Sequence, residues 1–291
     1  MEVFGTVASA LSVAALFNNC VNCFEYIQLG RHFGQDYERC QLKLDIAKTR
    51  LSRWGQAVAI NEDPRFTTSE PQETSFRQVQ AILEEIEQLF GTLQKASKRY
   101  AIGAKQEDLE LLQVQDMQPV AQRLHNRLNT VVSKRQKRTN VFKKAAWALY
   151  DGKNFDKLVE QLTGFVDDLE KLFPVEDIRR TLVAMEIDEV KEDEPSLKAL
   201  QSAAEDIDSV LSEVVVEKLE TCRRQNYAKN IQSQDKARVR VGDEWTEAAL
   251  SSRSVEVVAG PTNNGADEVT AKGSSAVHIG NNYGGRGIFD D

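Results

Sequence analysis

From Tyr37 to Val58 the apolar side chains fall at Tyr37, Cys40, Leu44, Ala47, Leu51, Trp54 and Val58, in steps of three and four. Such steps lay one stripe along an α-helix. Phe76, Val79, Leu83, Ile86, Phe90, Leu93 and Tyr100 keep the rhythm and predict a second helix, opened by Ser75–Gln78 as a capping box. Pro64 and Pro71 make Asn61–Glu73 a loop between the two. Pro119 suits the first turn of a third long helix, whose buried side runs through Val120, Leu124, Leu128 and Val131 to Ala145 and Leu149, with Asp151-Gly152 ending it. Phe155, Leu158, Leu162, Phe165, Leu169 and Leu172 give the next, and Pro174 opens a shorter one reaching about Glu189. The acidic Lys191–Glu194 stretch with Pro195 reads as a connector, and Ser196–Glu220 as the last helix, anchored by Leu200, Ile207, Val210, Leu211 and Val214. No stretch up to residue 222 alternates at period two, so an all-α helical bundle over residues 1–222 is the expected fold class.

Near Arg223 the rhythm changes. Ala237–Val241 and Ser275–Ile279 alternate apolar with polar, and each is followed by Gly (Gly242, Gly280) and then Asp243 or Asn281. These are strand-and-turn signals. Superposing the two strands aligns two segments, 226–243 and 264–281, at an offset of 38 residues. Asn226 then meets Asn264, Ala228 meets Ala266, Ile231 meets Val269, Val239 meets Val277, Val241 meets Ile279 and Gly242 meets Gly280. Apolar and turn positions are kept while polar ones vary, the mark of a repeated shape with a thin apolar interior. One copy cannot bury a core, but copies stacked as rungs can, with Asn226 and Asn264 placed for an amide ladder. Identical rungs would oppose like charges about 4.8 Å apart; here Lys229 faces Asp267, a complementary pair. Residues 244–263 form a connector in which Ser254–Val258 has the composition of a further short strand, and the glycine-rich end carries Tyr283 and Phe289 as an aromatic arm that can fold back over the stack. Residues 223–291 are therefore a second domain, expected to be disordered in the soluble chain because two rungs bury little apolar area.

The N-terminal segment stands apart. Val3–Phe24 carries no charge over 22 residues, 15 of them apolar, among them Val3, Phe4, Leu11, Val13, Leu16, Phe17, Val21 and Phe24. That length can span a bilayer as a helix; it also suits a helix buried in a core, and periodicity leaves both readings open. Net charge is −8, all of it in residues 1–222, which argues against a nucleic-acid partner. Four cysteines in 291 residues are too few for a disulfide framework, and no basic stretch precedes the apolar segment as a secretory signal requires, so an intracellular, reducing location is expected.

Other motifs carry little chemistry. Cys20-Val21-Asn22-Cys23 has redox spacing but lies in an apolar helix with no second cysteine pair, and His32, His125 and His278 are scattered, so no metal or cofactor is expected. The basic run Lys134, Arg135, Lys137, Arg138, Lys143 and Lys144 reads as a solvated face, or as a contact for anionic lipid headgroups after activation. There is no P-loop, no G-x-G-x-x-G and no G-x-S-x-G, and an enzyme is not expected.

Several longer stretches resemble one family. Leu16-Phe17-Asn18-Asn19-Cys20, Gln28-Leu29-Gly30-Arg31, Asp36–Gln41, Leu51-Ser52-Arg53-Trp54-Gly55 and Trp147–Lys153 look like the HeLo domain of the fungal HET-s/HET-S heterokaryon-incompatibility prion proteins, and the two C-terminal copies look like that family's prion motifs. The resemblance implies a HeLo-like effector followed by a tail that turns into an amyloid β-solenoid. Templates would be fibrils of the chain itself, a prion-form homologue, or a NOD-like receptor bearing one copy of the motif. Conversion would release Val3–Phe24 from core burial into membrane lipid and permeabilise it, taking the protein from the cytoplasm to the plasma membrane. The family's non-killing form has Pro after Leu-Gly-Arg and Asp inside the first apolar segment; here those places hold His32 and Asn22, so the resemblance implies the killing form. Family copies show several complementary charge pairs between rungs, whereas Gln234/Lys272 and Lys236/Ser274 are not complementary here.

Overall fold

The helix predicted from Tyr37 is α2, Tyr37–Ala57, and other helices of the first unit pack around it. The structure is a computed structural model, described for residues 11–68, 73–136, 146–190, 193–223, 225–245 and 263–283. Val3, Phe4, Ser254–Val258, Phe289, Ala145 and the lysines and arginine at 137, 138, 143 and 144 lie outside the described residues. Two compact units divide between Val216 and Glu217, inside the last helix, where the sequence placed the boundary at 222/223.

In the first unit, α1 (Val13–Cys23) is followed by a three-residue strand β1 (Ile27–Leu29), then α2, a one-turn α3 (Pro64–Thr67) and the long α4 (Thr74–Gly103). Next come α5 (Pro119–Arg135), a second short strand β2 (Trp147–Leu149), α6 (Gly152–Leu172), α7 (Glu176–Val190), α8 (Glu194–Ala204) and α9 (Ser209–Arg223). The all-α expectation holds in outline. One exception is a two-stranded parallel sheet, with Ile27 opposite Trp147 and Leu29 opposite Leu149. Three residues are too few for an alternation to be seen against a helical background.

Four local expectations are corrected. The third helix stops at Arg135, and Leu149 belongs to β2. Asp151 begins a helix, since its side chain accepts the Asn154 N–H at 2.9 Å and caps α6. The predicted last helix is two: Asp193 caps α8 through the Ser196 N–H, and Asp208 caps α9 through the Leu211 N–H at 3.2 Å. An acid caps a helix start by taking one of its orphan N–H groups, and that chemistry outweighed the continuous apolar spacing. α4 starts two residues earlier than the Ser75 capping box implies, with Glu73 at its cap position and no side-chain bond there.

α2 is also buried far beyond one stripe. Lys48, Thr49, Arg50, Ser52 and Arg53 are buried along with Leu44, Leu51 and Trp54. It packs on α5, α6, α7 and α8, so its polar side faces other helices.

The second unit contains β3 (Gln225–Ser233), β4 (Arg238–Val241), β5 (Glu244–Trp245), β6 (Asn263–Ala271), β7 (Ala276–Ile279) and β8 (Asn282–Tyr283). β3 pairs with β6, β4 with β7 and β5 with β8, always in parallel. The tail, expected to lack order until templated, is thus described in its paired form.

Candidate functional site

Every strand pair in the second unit keeps the 38-residue offset read from the sequence. Asn226 is opposite Asn264, Ala228 opposite Ala266, Ile231 opposite Val269, Val239 opposite Val277 and Val241 opposite Ile279. The backbone ladder also crosses the turns, with Lys272 N–H donating to Ser233 O at 2.8 Å and Gly280 N–H to Val241 O at 2.9 Å. Parallel in-register rungs satisfy each other's backbone groups, so a small apolar row suffices to hold them.

The asparagines do more than ladder. Asn226 Nδ2 donates to Asn264 Oδ1 at 3.0 Å between rungs and to Asp243 Oδ1 at 3.1 Å within its own. Asn264 Nδ2 reaches Asn281 Oδ1 at 2.9 Å in the second rung, and Asn281 Oδ1 also accepts the Asp243 N–H. Each copy therefore ties its first strand to the turn 17 residues later, and the two ties are stitched together.

The glycines at that turn are there for space and conformation. Gly242 and Gly280 have φ of 153° and 148°. A Cβ on Gly242 would lie 2.0 Å from Gly280 O, inside the neighbouring rung's backbone. No side chain fits between rungs at a hydrogen-bond separation.

Lys229 and Asp267 lie between the paired Ala228–Ala266 and Asn230–Glu268. No Lys229–Asp267 ion pair within 4 Å occurs among the described residues; Asp267 instead accepts the Tyr227 hydroxyl. The sequence reading missed Tyr227, because a tyrosine opposite a glycine has no place in a list of kept positions. The two rungs are unequally covered: Ile231 is 5% exposed, while Val269 and Ile279 are 43% and 39% exposed. An apolar row thus lies open on the second rung. Tyr283 pairs through its backbone with Trp245.

In the first unit, α1 holds the described part of the uncharged segment. Val13, Leu16, Phe17, Val21 and Phe24 are buried, and Leu11 is half-buried just ahead of the helix. Each such side chain contributes about 1.5–3 kcal/mol by leaving water. The ring of Phe24 meets that of Phe90 edge-on at 5.3 Å. Asn18 Nδ2 donates to Ala14 O at 2.8 Å and to Asn61 Oδ1 at 2.7 Å, while its own Oδ1 is buried without a hydrogen-bond partner. Asn22 is buried on the same helix. Among the described residues no helix is long and apolar enough to cross a membrane. Cys20 and Cys23 are buried in α1, the Cys20 thiol donating to Leu83 O, and the described residues hold no group of three or more metal-ligating side chains.

His32 follows β1. Here two stretches quoted separately from the sequence come together, Gln28–Arg31 and Trp147–Tyr150: Gly30 N–H donates to Leu149 O at 2.8 Å. On the other side Leu112 N–H donates to Leu29 O, Arg31 N–H to Glu110 O, and Arg31 Nη1 to Glu110 Oε2 at 3.0 Å. His32 Nε2 stands 3.6 Å from Asp108, beside a cavity of about 310 Å³ lined also by Phe33, Cys40, Lys43 and Phe155. Burial pushes the Cys40 thiol up to about 11, so it is a poor nucleophile.

The basic run is corrected at Arg135, whose side chain is 8% exposed and bonds Glu186 at 2.6 Å. Glu186 also takes a two-pronged bond from Arg53, at 2.9 and 2.6 Å, and Arg53 reaches Asp208 at 2.7 Å. Two cations and two anions are thus balanced among α2, α5, α7 and the cap of α9. Burial alone would lower the Arg53 pKa; the charges of Asp208 and Glu186 outweigh it and raise it. Arg50 joins Asp167, Glu170 and the Ile207 carbonyl in a second cluster alongside.

Known proteins share both units. The HeLo family model, described as prion-inhibition and propagation, matches residues 5–200, and the Het-s 218-289 model matches residues 218–284. Heterokaryon incompatibility protein s of Podospora anserina is 51% identical over 290 residues, covering 100% of this chain and 99% of that protein. Its counterpart S is 52% identical over the same span. The solved HET-S N-terminal domain is similar with a TM-score of 0.72 at 56% identity, over 74% of this chain and 96% of that one. A doubly substituted HET-s N-terminal domain gives a TM-score of 0.70, over 72% and 99%.

Proposed function

The chain belongs to the HET-s/HET-S family of heterokaryon incompatibility proteins, and from that premise we propose that it is a prion-controlled cell-death effector of the killing kind. Templated stacking of the two C-terminal copies, as successive rungs of a β-solenoid amyloid, is the trigger. The helical unit responds by releasing Val3–Phe24, which enters a bilayer and permeabilises it. The protein waits in the cytoplasm and acts at the plasma membrane. Its template is a fibril of itself, of a prion-form homologue, or of a receptor bearing one matching copy.

The observation that carries this reading is the constant 38-residue offset across all three strand pairs, with the second rung's apolar row left open. A stack that ends on exposed Val269 and Ile279 invites another rung. The output arm is supported by chemistry at α1: the helix carries no charged residue, so its transfer to lipid has no charge-burial cost. Asp at such a position costs roughly 2.5–3.5 kcal/mol in mid-bilayer, and Asn22 avoids that charge.

A second reading is an oligomerising adaptor without membrane action. It draws on one fact, that no described helix is long enough to span. Full-length protein mixed with its own fibril seeds and dye-loaded anionic liposomes separates the two. Leakage that requires both seeds and an uncharged Val3–Phe24 is expected. Seeded assembly with intact liposomes leaves only the adaptor.

A further inference from the structure

The two copies differ most in shape at one place. Tyr227 in the first rung stands opposite Gly265 in the second. The ring lies against the glycine: a Cβ at 265 would come 3.2 Å from Tyr227 Cδ2 and 3.4 Å from Cε2. From there the hydroxyl donates to Asp267. One residue beyond Asp267, Asn230 Nδ2 donates to Glu268 Oε2 at 2.9 Å. Along β3 and β6 the first rung therefore offers donors, with Lys229 among them, and the second offers acceptors and a gap.

Tyr227 is 57% exposed, so burial does not hold it there. What holds it is the missing side chain beneath and the carboxylate within reach. Stacking like on like destroys both. First rung on first rung opposes Lys229 with Lys229; second on second opposes Asp267 with Asp267 and Glu268 with Glu268, all at about 4.8 Å, and like charges directly opposite destabilise a sheet. Only alternation gives the phenol its seat and its acceptor. The second rung also has a face turned away from the first. Asp267 is exposed, and a carboxylate has two oxygens able to accept. One serves the tyrosine of its own chain.

We propose that Tyr227, Gly265 and Asp267 form a templating clasp: at the open end of the stack, Tyr227 of an incoming second copy of this chain seats over Gly265 and donates its hydroxyl to Asp267. This clasp, rather than a Lys229–Asp267 ion pair, decides which chains extend the stack. A chain lacking an aromatic hydroxyl at 227 is a poor substrate for these ends, whatever its charge at 229.

The inference rests on the templated stacking proposed above, and one experiment keeps the two apart. Full-length monomer is added to sonicated fibrils of the full-length wild-type chain, and elongation is followed by thioflavin fluorescence. Tyr227→Phe keeps the ring and loses one hydrogen bond, so elongation slows about five-fold. Asp267→Ala slows it comparably, and the double variant is no slower than the slower single, because both remove one contact. Lys229→Gln elongates at the wild-type rate. A wild-type rate for Tyr227→Phe, losses that multiply in the double variant, or slowing by Lys229→Gln equal to that by Tyr227→Phe overturns the clasp. Failure of the wild-type chain to elongate its own seeds overturns templated stacking, and the clasp with it.

Discussion

At Gly55 of α2 the place of a side chain is taken by Phe17 of α1: a Cβ there would lie 2.1 Å from Phe17 Cζ. The fit lets α1 lie close against α2, with the Phe17 ring 6.2 Å from that of Trp54. Gly55→Ala must push the ring out of its seat. Overpacking of this kind costs roughly 1–3 kcal/mol, and in a unit this size each kcal/mol lowers Tm by about 2–4 °C. Calorimetry of the full chain should therefore show the helical transition several degrees lower, with the seeded liposome leakage faster, since less is needed to free α1. An unchanged transition would mean that α1 does not use this seat. Gly55 and Phe17 were each visible in the sequence, as members of two family-like stretches. Their contact was not, because periodicity places a residue on a face without saying which helix meets it. The glycines at 242 and 280 are the opposite case: the repeat set them opposite each other before any backbone was seen, and the close approach then explained the choice.

Elements were legible where an apolar stripe was the whole story, as in α4 and α6, and illegible where charge was buried. α2 carries Arg50 and Arg53 beside its stripe, where periodicity names no partner for them, and Arg135 belonged to a run read as a solvated face or a lipid contact. The bundle instead closes around them and pairs each with carboxylates. Breaking a buried pair by removing one partner costs about 3–5 kcal/mol because the other charge stays behind. Asp208 matters twice, holding Arg53 and capping α9, the helix whose last residue, Arg223, lies two positions before β3. Asp208→Ala should destabilise the helical unit by about that amount in urea unfolding, and should lower the quantity of seed needed for leakage. Loss of less than the cost of a surface substitution, about 0.5 kcal/mol, counts against the lock. α2 and α5 are tied by His125 Nδ1 and Asp45 Oδ2 at 2.8 Å. Burial lowers the His125 pKa, Asp45 raises it by hydrogen bond and by charge, and the net direction is up. A folded pKa above the unfolded value, about 6.5, means that this contribution is complete below that pH and fades as pH rises through the folded pKa. His125→Gln should therefore lose more stability relative to wild type at pH 6 than at pH 8. Equal losses at the two pH values would show that the pair is not titrating.

At the scale of the molecule, the proposed mechanism puts trigger and output in different units, so a variant should exist that silences one and spares the other. His32 is where to look. It follows Gly30 and Arg31, which are held on one side by Leu149 and on the other by Glu110 and Leu29–Leu112, so two distant parts of the helical unit meet at this corner. Proline at 32 would remove an N–H and disfavour a helical backbone at Arg31, the first residue of the 3₁₀ turn running to Asp36. The Arg31 bonds to Glu107 O and Glu110 depend on that backbone. None of the rung residues 225–245 or 263–283 is altered. His32→Pro should therefore elongate wild-type seeds at the wild-type rate while seeded leakage is lost, and its helical unit should still melt cooperatively. Leakage equal to wild type would remove this corner from the output path. Loss of elongation as well, with cooperative melting kept, would mean that the helical unit controls access to the rungs, and trigger and output would then be a single coupled transition.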